Sequence, residues 1–417
     1  MKTSAHCNLL LSNTVDKKKF IKSILSQDAP AELSYLNELN GLLFSDIAIK
    51  DFIKKEYQYD YQGLDASATR KLSSMSSGEQ KKAYLRYCLQ QKADYILLDN
   101  PLDHLDQNTR SELLLTLEQL ASSLIIIQIV NRKADLLPFI DNSLEVYSDS
   151  FALRPIALEK DILKNNYPLA IPPPLESPSF EETILIQMNQ VSVSYEDKKI
   201  VNTIDWTIKK GEFWQLTGPN GSGKSTLLSL LTGENTKGYG QDLYLFGRKK
   251  GSVESIWDIK KNIGYFSTAM ADLYQKDHTL EQMILSGFYD SIGLYIQPTT
   301  AQIKVASQWL DLIEMSHLKN TVFKQLSIGQ QRLVLIVRAV LKHPPLVILD
   351  EPLEGLDDEN SQLIIRLINT IVSKTTMTLL YVSHRIETNL YPTAILELIP
   401  SENGSLGKQY HSSTISL

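Results

Sequence analysis

Short apolar runs that end in polar or acidic residues recur along the chain and predict buried strands. In the second half they are FWQL (213–216), PLVILDE (345–351) and TLLYVSHR (378–385), and in the first half YILLD (95–99) and LIIIQIV (124–130). Two Ser/Gly turns, MSSGE (75–79) and LSIGQ (326–330), run directly into apolar-periodic segments. Both turns have the form of a capping box and therefore predict helix starts.

The two halves of the chain repeat one another. Residues 326–357 echo residues 75–106 without a gap, at a constant offset of 251 positions. Residues 378–387 match 125–134, and a weaker match lays 216–231 on 10–25, which sets Lys18 opposite Lys224. The chain is therefore predicted to be a tandem duplication. Between Lys18 and the turn at 75–79, the first copy is about 45 residues shorter than the second copy is between Lys224 and the turn at 326–330. The first copy also lacks the N-terminal strands that 184–213 supply in the second.

The segment 165–183 contains five prolines and little periodicity. Such composition is typical of an extended, semi-rigid spacer, although one long loop within a single domain is the alternative. We predict a first domain at 1–150, a proline-rich linker at 151–183 and a second domain at 184–417.

Composition narrows the class of protein. The formal charge of −6 gives no electrostatic footprint of a nucleic-acid binder, and two cysteines suit a reducing compartment rather than a disulfide framework. No apolar run reaches the roughly 18 residues of a membrane span, and the N-terminus does not read as a signal peptide. We expect a cytoplasmic protein, with peripheral attachment to the inner membrane as the alternative.

The stretch GPNGSGKST (218–226) matches the phosphate-loop pattern G-x-x-x-x-G-K-[ST], between an apolar strand and a predicted helix. Its glycines let backbone N–H groups turn toward a phosphate, and the helix N-terminus adds partial positive charge. Lys224 would reach the β- and γ-phosphates, and Ser225 would ligate Mg²⁺. The predicted nucleotide-binding residues here are Gly218, Asn220, Gly221, Ser222, Gly223, Lys224, Ser225 and Thr226.

Acidic residues end the strand at 345–351. Asp350 is predicted to join the Mg²⁺ shell, and Glu351 to orient or deprotonate the attacking water. His384 follows the next apolar strand, where its imidazole could hydrogen-bond the γ-phosphate. The predicted catalytic residues are therefore Glu351, His384 and Lys224, and the predicted metal ligands are Ser225 and Asp350.

This set of motifs, in this order, resembles the ATP-binding-cassette (ABC) ATPases. The resemblance implies tandem P-loop NTPase cassettes of the α/β class, each with a mixed or parallel sheet, flanking helices and a helical subdomain, and with the first cassette truncated. It implies ATP and Mg²⁺ as ligands, and Tyr195 as the aromatic residue that stacks on adenine. In that family one cassette supplies the phosphate loop and the other supplies the signature loop in trans.

Residues 238–267 and 284–295 further resemble the tandem-cassette group that includes ModF, or photorepair protein PhrA. That group is named for molybdate transport and for photorepair, and its members usually keep a phosphate loop in the first half. The family's glutamine that couples to transporter subunits would fall near Thr268, where none is present. The missing glutamine weighs against coupling to a membrane permease. A permease and another macromolecular partner both stay open, and the sequence identifies neither.

The first copy has lost the groups that would act on its own nucleotide. No glycine stands at 12–20, Asn100 replaces Glu351, and Asn131 replaces His384, although Asp99 is retained. Its signature loop is intact, whereas the second copy carries Ile328 at a glycine position. The hypothesis is one competent composite site, to which the first copy contributes Ser76, Ser77, Gly78 and Glu79.

We expect an ATP hydrolase with this single site. One alternative is an ATP-gated binding module that acts on a macromolecular partner. Another is the energising subunit of a molybdate-type importer.

Overall fold

The computed structural model describes residues 5–13, 15–59, 71–75, 77–103, 105–147, 151–156, 171–175, 182–252, 255–273, 277–385, 387 and 389–411. The chain folds into two compact units. The first unit comprises Met1–Ile162 together with Gly355–Glu359, and the second comprises Leu163–Glu354 and Asn360–Leu417. Most of the predicted linker, 157–170 and 176–181, lies outside the described residues. The predicted domain boundaries therefore stay a prediction.

The first unit is built around one six-stranded sheet in the order β2-β3-β4-β1-β5-β6, parallel except for the last pair. Its strands are β1 (Cys7–Leu11), β2 (Gly41–Phe44), β3 (Tyr95–Asp99), β4 (Ile125–Val130), β5 (Ser143–Tyr147) and β6 (Ala152–Pro155). Its helices are α1 (Lys17–Leu25), α2 (Asp46–Tyr59), α3 (Ser77–Gln90) and α4 (Gln107–Leu120). Because β1, β3 and β4 are central parallel strands, their side chains are almost entirely buried, as expected for a sheet covered on both faces.

The second unit contains two sheets, a six-stranded one in the order β12-β13-β14-β9-β15-β16 and a four-stranded antiparallel one in the order β11-β10-β7-β8. Its strands are β7 (Ile184–Tyr195), β8 (Lys198–Lys209), β9 (Phe213–Thr217), β10 (Leu243–Leu245), β11 (Arg248–Lys249), β12 (Ile263–Ser267), β13 (Leu346–Asp350), β14 (Thr378–Val382), β15 (Ala394–Ile399) and β16 (Leu406–His411). Within the described residues, the first unit has no counterpart of the antiparallel sheet. The predicted truncation of the first copy is confirmed in this respect.

Helices of the second unit cover its larger sheet and form the predicted helical subdomain, in which α8 packs against α9 and α10. The helices are α5 (Lys224–Leu231), α6 (Ile256–Lys260), α7 (Met270–Leu273), α8 (Leu280–Leu285), α9 (Thr300–Leu312), α10 (Ile328–Val340) and α11 (Asp358–Lys374). Among the described residues, no helix combines the length and apolar character that crossing a membrane requires.

The sheet registers establish which positions of the two copies correspond. In each unit, paired residues can be followed across three neighbouring strands. These are the strand that ends in an aspartate (β13 or β3), the strand beside it (β14 or β4), and the strand that precedes the first helix of the match (β9 or β1). The two rows of paired residues are Asp350–Val382–Leu216 and Asp99–Ile129–Leu9. Leu9 is therefore the structural counterpart of Leu216, an offset of 207 positions.

This register corrects the weak alignment of the first loops by one residue. Lys17, and not Lys18, occupies the position of Lys224, and each lysine is the first residue of its helix. The sequence alone mispairs them because the first copy has three consecutive lysines and no glycine to anchor the alignment. The paired strands fix the register instead.

Candidate functional site

The loop between β9 and α5 has a backbone that only glycine adopts without strain. Gly218, Gly221 and Gly223 have φ values of 148°, 76° and 98°, in the region that L side chains rarely enter. A Cβ on Gly223 would also lie 2.6 Å from Cγ1 of Val201. The loop can therefore bring its backbone N–H groups close to a phosphate, as the motif predicted.

Two polar side chains of this loop have contrasting environments. The Ser222 hydroxyl is buried, and its oxygen has no hydrogen-bond partner among the described residues. The Lys224 ammonium folds back over the loop and donates to the carbonyl oxygens of Gly218 (2.6 Å) and Pro219 (3.1 Å). Lys224 also lines the cavity over the loop, so its ammonium can exchange these neutral acceptors for a charged phosphate oxygen.

A cavity of about 460 Å³ opens over the loop and brings together most of the predicted site. Thr268 lies on its wall, at the position where the resemblance placed the missing glutamine. Lys198 and Ile200 also line it and were not predicted. The predicted residues on its wall are Asn220, Gly221, Gly223, Lys224, Ser225, Thr226, Asp350 and Glu351.

Asp350 lies at the end of β13 and has the character of a metal ligand. Burial, together with the charge of Glu351, raises the pKa of Asp350 to about 6. Its Oδ2 accepts a hydrogen bond from the Tyr265 hydroxyl at 3.4 Å. Ser225 lines the same cavity, so a hydroxyl and a carboxylate are available for Mg²⁺, which prefers oxygen ligands.

Glu351 contacts the predicted histidine. The distance from His384 Nδ1 to Glu351 Oε1 is 3.4 Å, and Arg385 Nε donates to His384 Nε2 at 3.1 Å. Burial is the largest single influence and would raise the pKa of Glu351, but the hydrogen bonds with His384 and Glu354, together with the charges of His384 and Lys224, lower that pKa to about 2. The carboxylate is therefore ionised at neutral pH and can orient a water molecule.

Tyr195 ends β7 and is 45% exposed. Its hydroxyl accepts a hydrogen bond from Asn235 Nδ2 at 2.9 Å. Tyr195 is not on the wall of the 460 Å³ cavity, so its stacking on adenine stays a prediction.

In the first unit, two asparagines make the contact that Glu351 and His384 make in the second unit, but neither asparagine carries a charge. Asn100 Nδ2 donates to Asn131 Oδ1 at 3.1 Å, in the place of the contact between Glu351 and His384. Asn100 and Glu351 even share the left-handed backbone, with φ of 45° and 51°. A pair of neutral amides cannot accept a proton from water, so this position has no general base.

At the start of α1 in the first unit, side chains of the same unit form the polar contacts. Lys17 forms an ion pair with Asp99 and donates to Asn131 Oδ1 at 3.4 Å. The Asp16 carboxylate caps α1 by accepting from the N–H of Lys19 at 3.0 Å, whereas the equivalent cap of α5 is a glycine with no side chain. Asp16 thus places a carboxylate at the N-terminus of α1, where the second unit has a glycine.

The signature loops begin helices, as predicted, in each unit separately. Ser327 caps α10 through a capping box with Gln330, with hydrogen bonds of 3.0 and 3.3 Å. In the first unit α3 begins at Ser77, and Glu79 lies exposed in its first turn. Gly78 is closely packed, because a Cβ there would lie 2.7 Å from Cγ2 of Thr109. Ser76 lies outside the described residues.

Two residues that hydrogen-bond to predicted site residues of the second unit, Tyr265 and Arg385, were not predicted from the sequence. Tyr265 belongs to the strand beside Asp350, and Arg385 follows His384 directly. Only Arg385 carries a signal in the sequence, since it directly follows a predicted site residue. Their partners became evident only from the strand register and the side-chain contacts.

The chain is similar in sequence to several known proteins. The sequence profile of the ABC transporter family matches residues 201–354. The ABC transporter ATP-binding protein ModF of Escherichia coli is 40% identical over 342 residues, which are 78% of this chain and 69% of ModF. An ABC transporter ATP-binding protein of Schizosaccharomyces pombe is 33% identical over 296 residues, 69% of this chain and 60% of that protein.

Several solved structures match nearly the whole chain. One of them is the complex of the archaeal ribosomal stalk protein aP1 with the archaeal ribosome recycling factor aABCE1, and its TM-score is 0.62. The match covers 97% of this chain and 85% of the other, at 16% identity. At that identity the likeness shows the fold alone, which is the fold that the motifs predicted.

Proposed function

Since this chain belongs to the family of ABC transporter ATP-binding proteins, we propose that it hydrolyses ATP at one composite site. The second unit would supply the phosphate loop, and the first unit would supply the signature loop. The observation that carries the proposal is the contrast between the Glu351–His384 contact of the second unit and the Asn100–Asn131 contact of the first. Glu351 is ionised beside His384, whereas Asn100 and Asn131 form a neutral pair.

Each site residue of the second unit has a distinct role in the proposed reaction. Lys224 would leave the loop carbonyls and donate to phosphate oxygens. Glu351 would orient the attacking water and accept its proton, while His384 holds the carboxylate in place. Ser225 and Asp350 would hold Mg²⁺, which supplies charge stabilisation to the transferred phosphoryl group.

The signature loop of the first unit completes the proposed site. Within the ABC family this loop serves the nucleotide of the opposite cassette, so its integrity in the first copy matters for the second. Ser76, Ser77 and Gly78 would provide hydroxyl and backbone N–H donors at a helix N-terminus, where an anion is stabilised. The Ile328-containing loop of the second copy would face a first site that carries its own carboxylate.

The experiment measures Mg²⁺-dependent phosphate release by the full chain. Lys224→Ala should abolish release, and Glu351→Gln should lower it by about 10²–10⁴-fold, the usual contribution of a general base. Glu351→Gln should still bind ATP, because the amide keeps the size and the acceptor oxygen. If the wild type releases no phosphate, or if Glu351→Gln retains its rate, hydrolysis at this site is wrong.

A matched pair of variants tests the composite character of the site. Ser76→Arg should lower turnover at least 100-fold by removing a donor and filling its space. The equivalent Ser327→Arg should cost a helix cap, about 1 kcal/mol of stability, and leave turnover nearly unchanged. Equal effects of both variants would contradict the proposed division between the units.

A second candidate function is an ATP-gated binding module in which hydrolysis only resets the protein. The presence of Thr268 on the cavity wall favours it over an importer subunit, because the glutamine that couples the family to permeases is missing there. Glu351→Gln loaded with ATP should then retain a macromolecular partner that the ADP-loaded form releases. Copurification of a membrane permease would favour the molybdate-type importer instead.

A further inference from the structure

Tyr265 lies beside the predicted Mg²⁺ ligand on the neighbouring strand. The pairing of β12 with β13 sets Tyr265 opposite Ile348 and Ser267 opposite Asp350. The Tyr265 hydroxyl therefore stands near the acidic end of β13, and it donates to Asp350 Oδ2 at 3.4 Å. No motif of the sequence marks this residue.

The ring and the hydroxyl of Tyr265 have different environments. The ring is partly buried and packs against the hydrophobic core of the second unit. The hydroxyl points to the carboxylate, so the core holds the donor in a fixed place. A rigid donor of this kind can orient a carboxylate with little loss of conformational freedom.

Asp350 needs such orientation because it borders two cavities. One is the 460 Å³ cavity over the phosphate loop, and the other, of about 280 Å³, also contains Tyr265 on its wall. A carboxylate between two open spaces can turn toward either one. The hydrogen bond from Tyr265 engages one carboxylate oxygen, Oδ2, and limits that rotation.

The first unit provides an internal comparison. In its sheet Leu43 is opposite Leu97, the counterpart of Ile348, so Leu43 stands where the second unit has Tyr265. Asp99 is held there by the ammonium of Lys17 instead. An ammonium partner neutralises the carboxylate and repels a cation, whereas a hydroxyl orients the carboxylate and leaves its charge for a metal.

We propose that Tyr265 is a positioning residue that orients Asp350 to bind the Mg²⁺ of the bound nucleotide. This inference rests on the proposed function for the presence of nucleotide and metal at the loop. It goes beyond that function by assigning the metal affinity in part to a residue outside the phosphate loop and the acidic strand.

The test measures metal binding rather than turnover. Mn²⁺ binding to the full chain, with a non-hydrolysable ATP analogue present, is followed by electron paramagnetic resonance. Tyr265→Phe should weaken Mn²⁺ binding about tenfold, as is usual for a group that orients a metal ligand. Nucleotide binding in EDTA should be unchanged, and the rate at saturating Mg²⁺ should approach that of the wild type.

The chain offers a matched control. The Tyr410 hydroxyl donates to Glu397 Oε2 at 2.8 Å, on the two strands at the opposite edge of the same sheet. Tyr410→Phe removes the same kind of bond and should leave Mn²⁺ binding unchanged. Tryptophan emission of both variants reports whether the second unit is folded.

Two outcomes would overturn the inference, and a third would overturn only the proposed hydrolysis. Mn²⁺ affinity of Tyr265→Phe equal to that of Tyr410→Phe would show that the hydroxyl does not act through Asp350. An equal loss of nucleotide binding in EDTA would show a merely structural role. A wild type that binds Mn²⁺ and nucleotide but releases no phosphate would refute the proposed hydrolysis while leaving the role of Tyr265 measurable.

Discussion

Replacing Lys17 by methionine should destabilise the first unit without affecting ATP turnover. The ammonium of Lys17 pairs with Asp99 and also donates to Asn131. Methionine keeps the apolar length of the side chain and removes the charge. Asp99 would then remain in a mostly buried position, with 15% of its side chain exposed, and without its cation.

The expected loss lies between that of a surface pair and that of a buried pair. Exposed ion pairs contribute about 0.2–1 kcal/mol, and breaking a fully buried pair costs about 3–5 kcal/mol. Because the Lys17 side chain is 25% exposed, water partly screens the charge that remains. We expect a loss of about 2–3 kcal/mol, which corresponds to a urea midpoint lower by about 1 M.

The sequence supplies separate probes for the two units. Both cysteines are buried in the first unit, and burial raises the pKa of Cys7 to about 12 and that of Cys88 to about 11, so neither reacts while folded. Thiol labelling in urea therefore follows the first unit, and tryptophan fluorescence follows the second. The tryptophans are Trp206, Trp214, Trp257 and Trp309.

Two further variants make the result decisive. Lys18→Met changes the adjacent, exposed lysine that the sequence match sets opposite Lys224, and it should leave both midpoints unchanged. Lys17→Met combined with Asp99→Asn should recover about half of the loss, because no buried charge remains. If Lys17→Met leaves the labelling midpoint within about 0.2 M of the wild type, the ion pair does not hold the first unit together.

Two other predictions concern the second unit. Because burial raises the pKa of Asp350 from 3.8 to about 6, its protonated form is favoured on folding, and stability without Mg²⁺ should fall as the pH rises from about 4 to about 6. The urea midpoint by tryptophan fluorescence checks this, and Asp350→Asn should flatten that dependence. Gly223→Ala should weaken binding of a fluorescent ATP analogue at least 100-fold, because its Cβ meets Val201. Gly221→Ala, with no atom within 4 Å of its Cβ, should add only about 1–2 kcal/mol of backbone strain, and equal losses would refute the steric reasoning.

The fold was predictable because its signals are local and repeated. Apolar runs that end in acids marked β3 and β13, and capping boxes marked the starts of α3 and α10. The phosphate loop was predictable for the same reason, since its glycines are required by the backbone at defined positions. Each of these features is encoded within a few consecutive residues.

Contacts between distant segments were not predictable in this way. The equivalence of Lys17 with Lys224 depends on a row of three paired strands, and the lysine run at 17–19 gives no local reason to choose among its members. Likewise, the bond from Tyr265 to Asp350 joins residues 85 positions apart. Only the register of β12 on β13 brings that hydroxyl to the carboxylate.

The retention of Asp99 in an otherwise degraded site has a physical reason. A carboxylate at the buried end of a central strand needs a partner in either unit. In the second unit the Tyr265 hydroxyl donates to Asp350, and burial together with the charge of Glu351 raises the pKa of Asp350 to about 6. In the first unit the ammonium of Lys17 forms an ion pair with Asp99. Asp99 therefore has a charged partner within its own unit, which gives the carboxylate a structural role there.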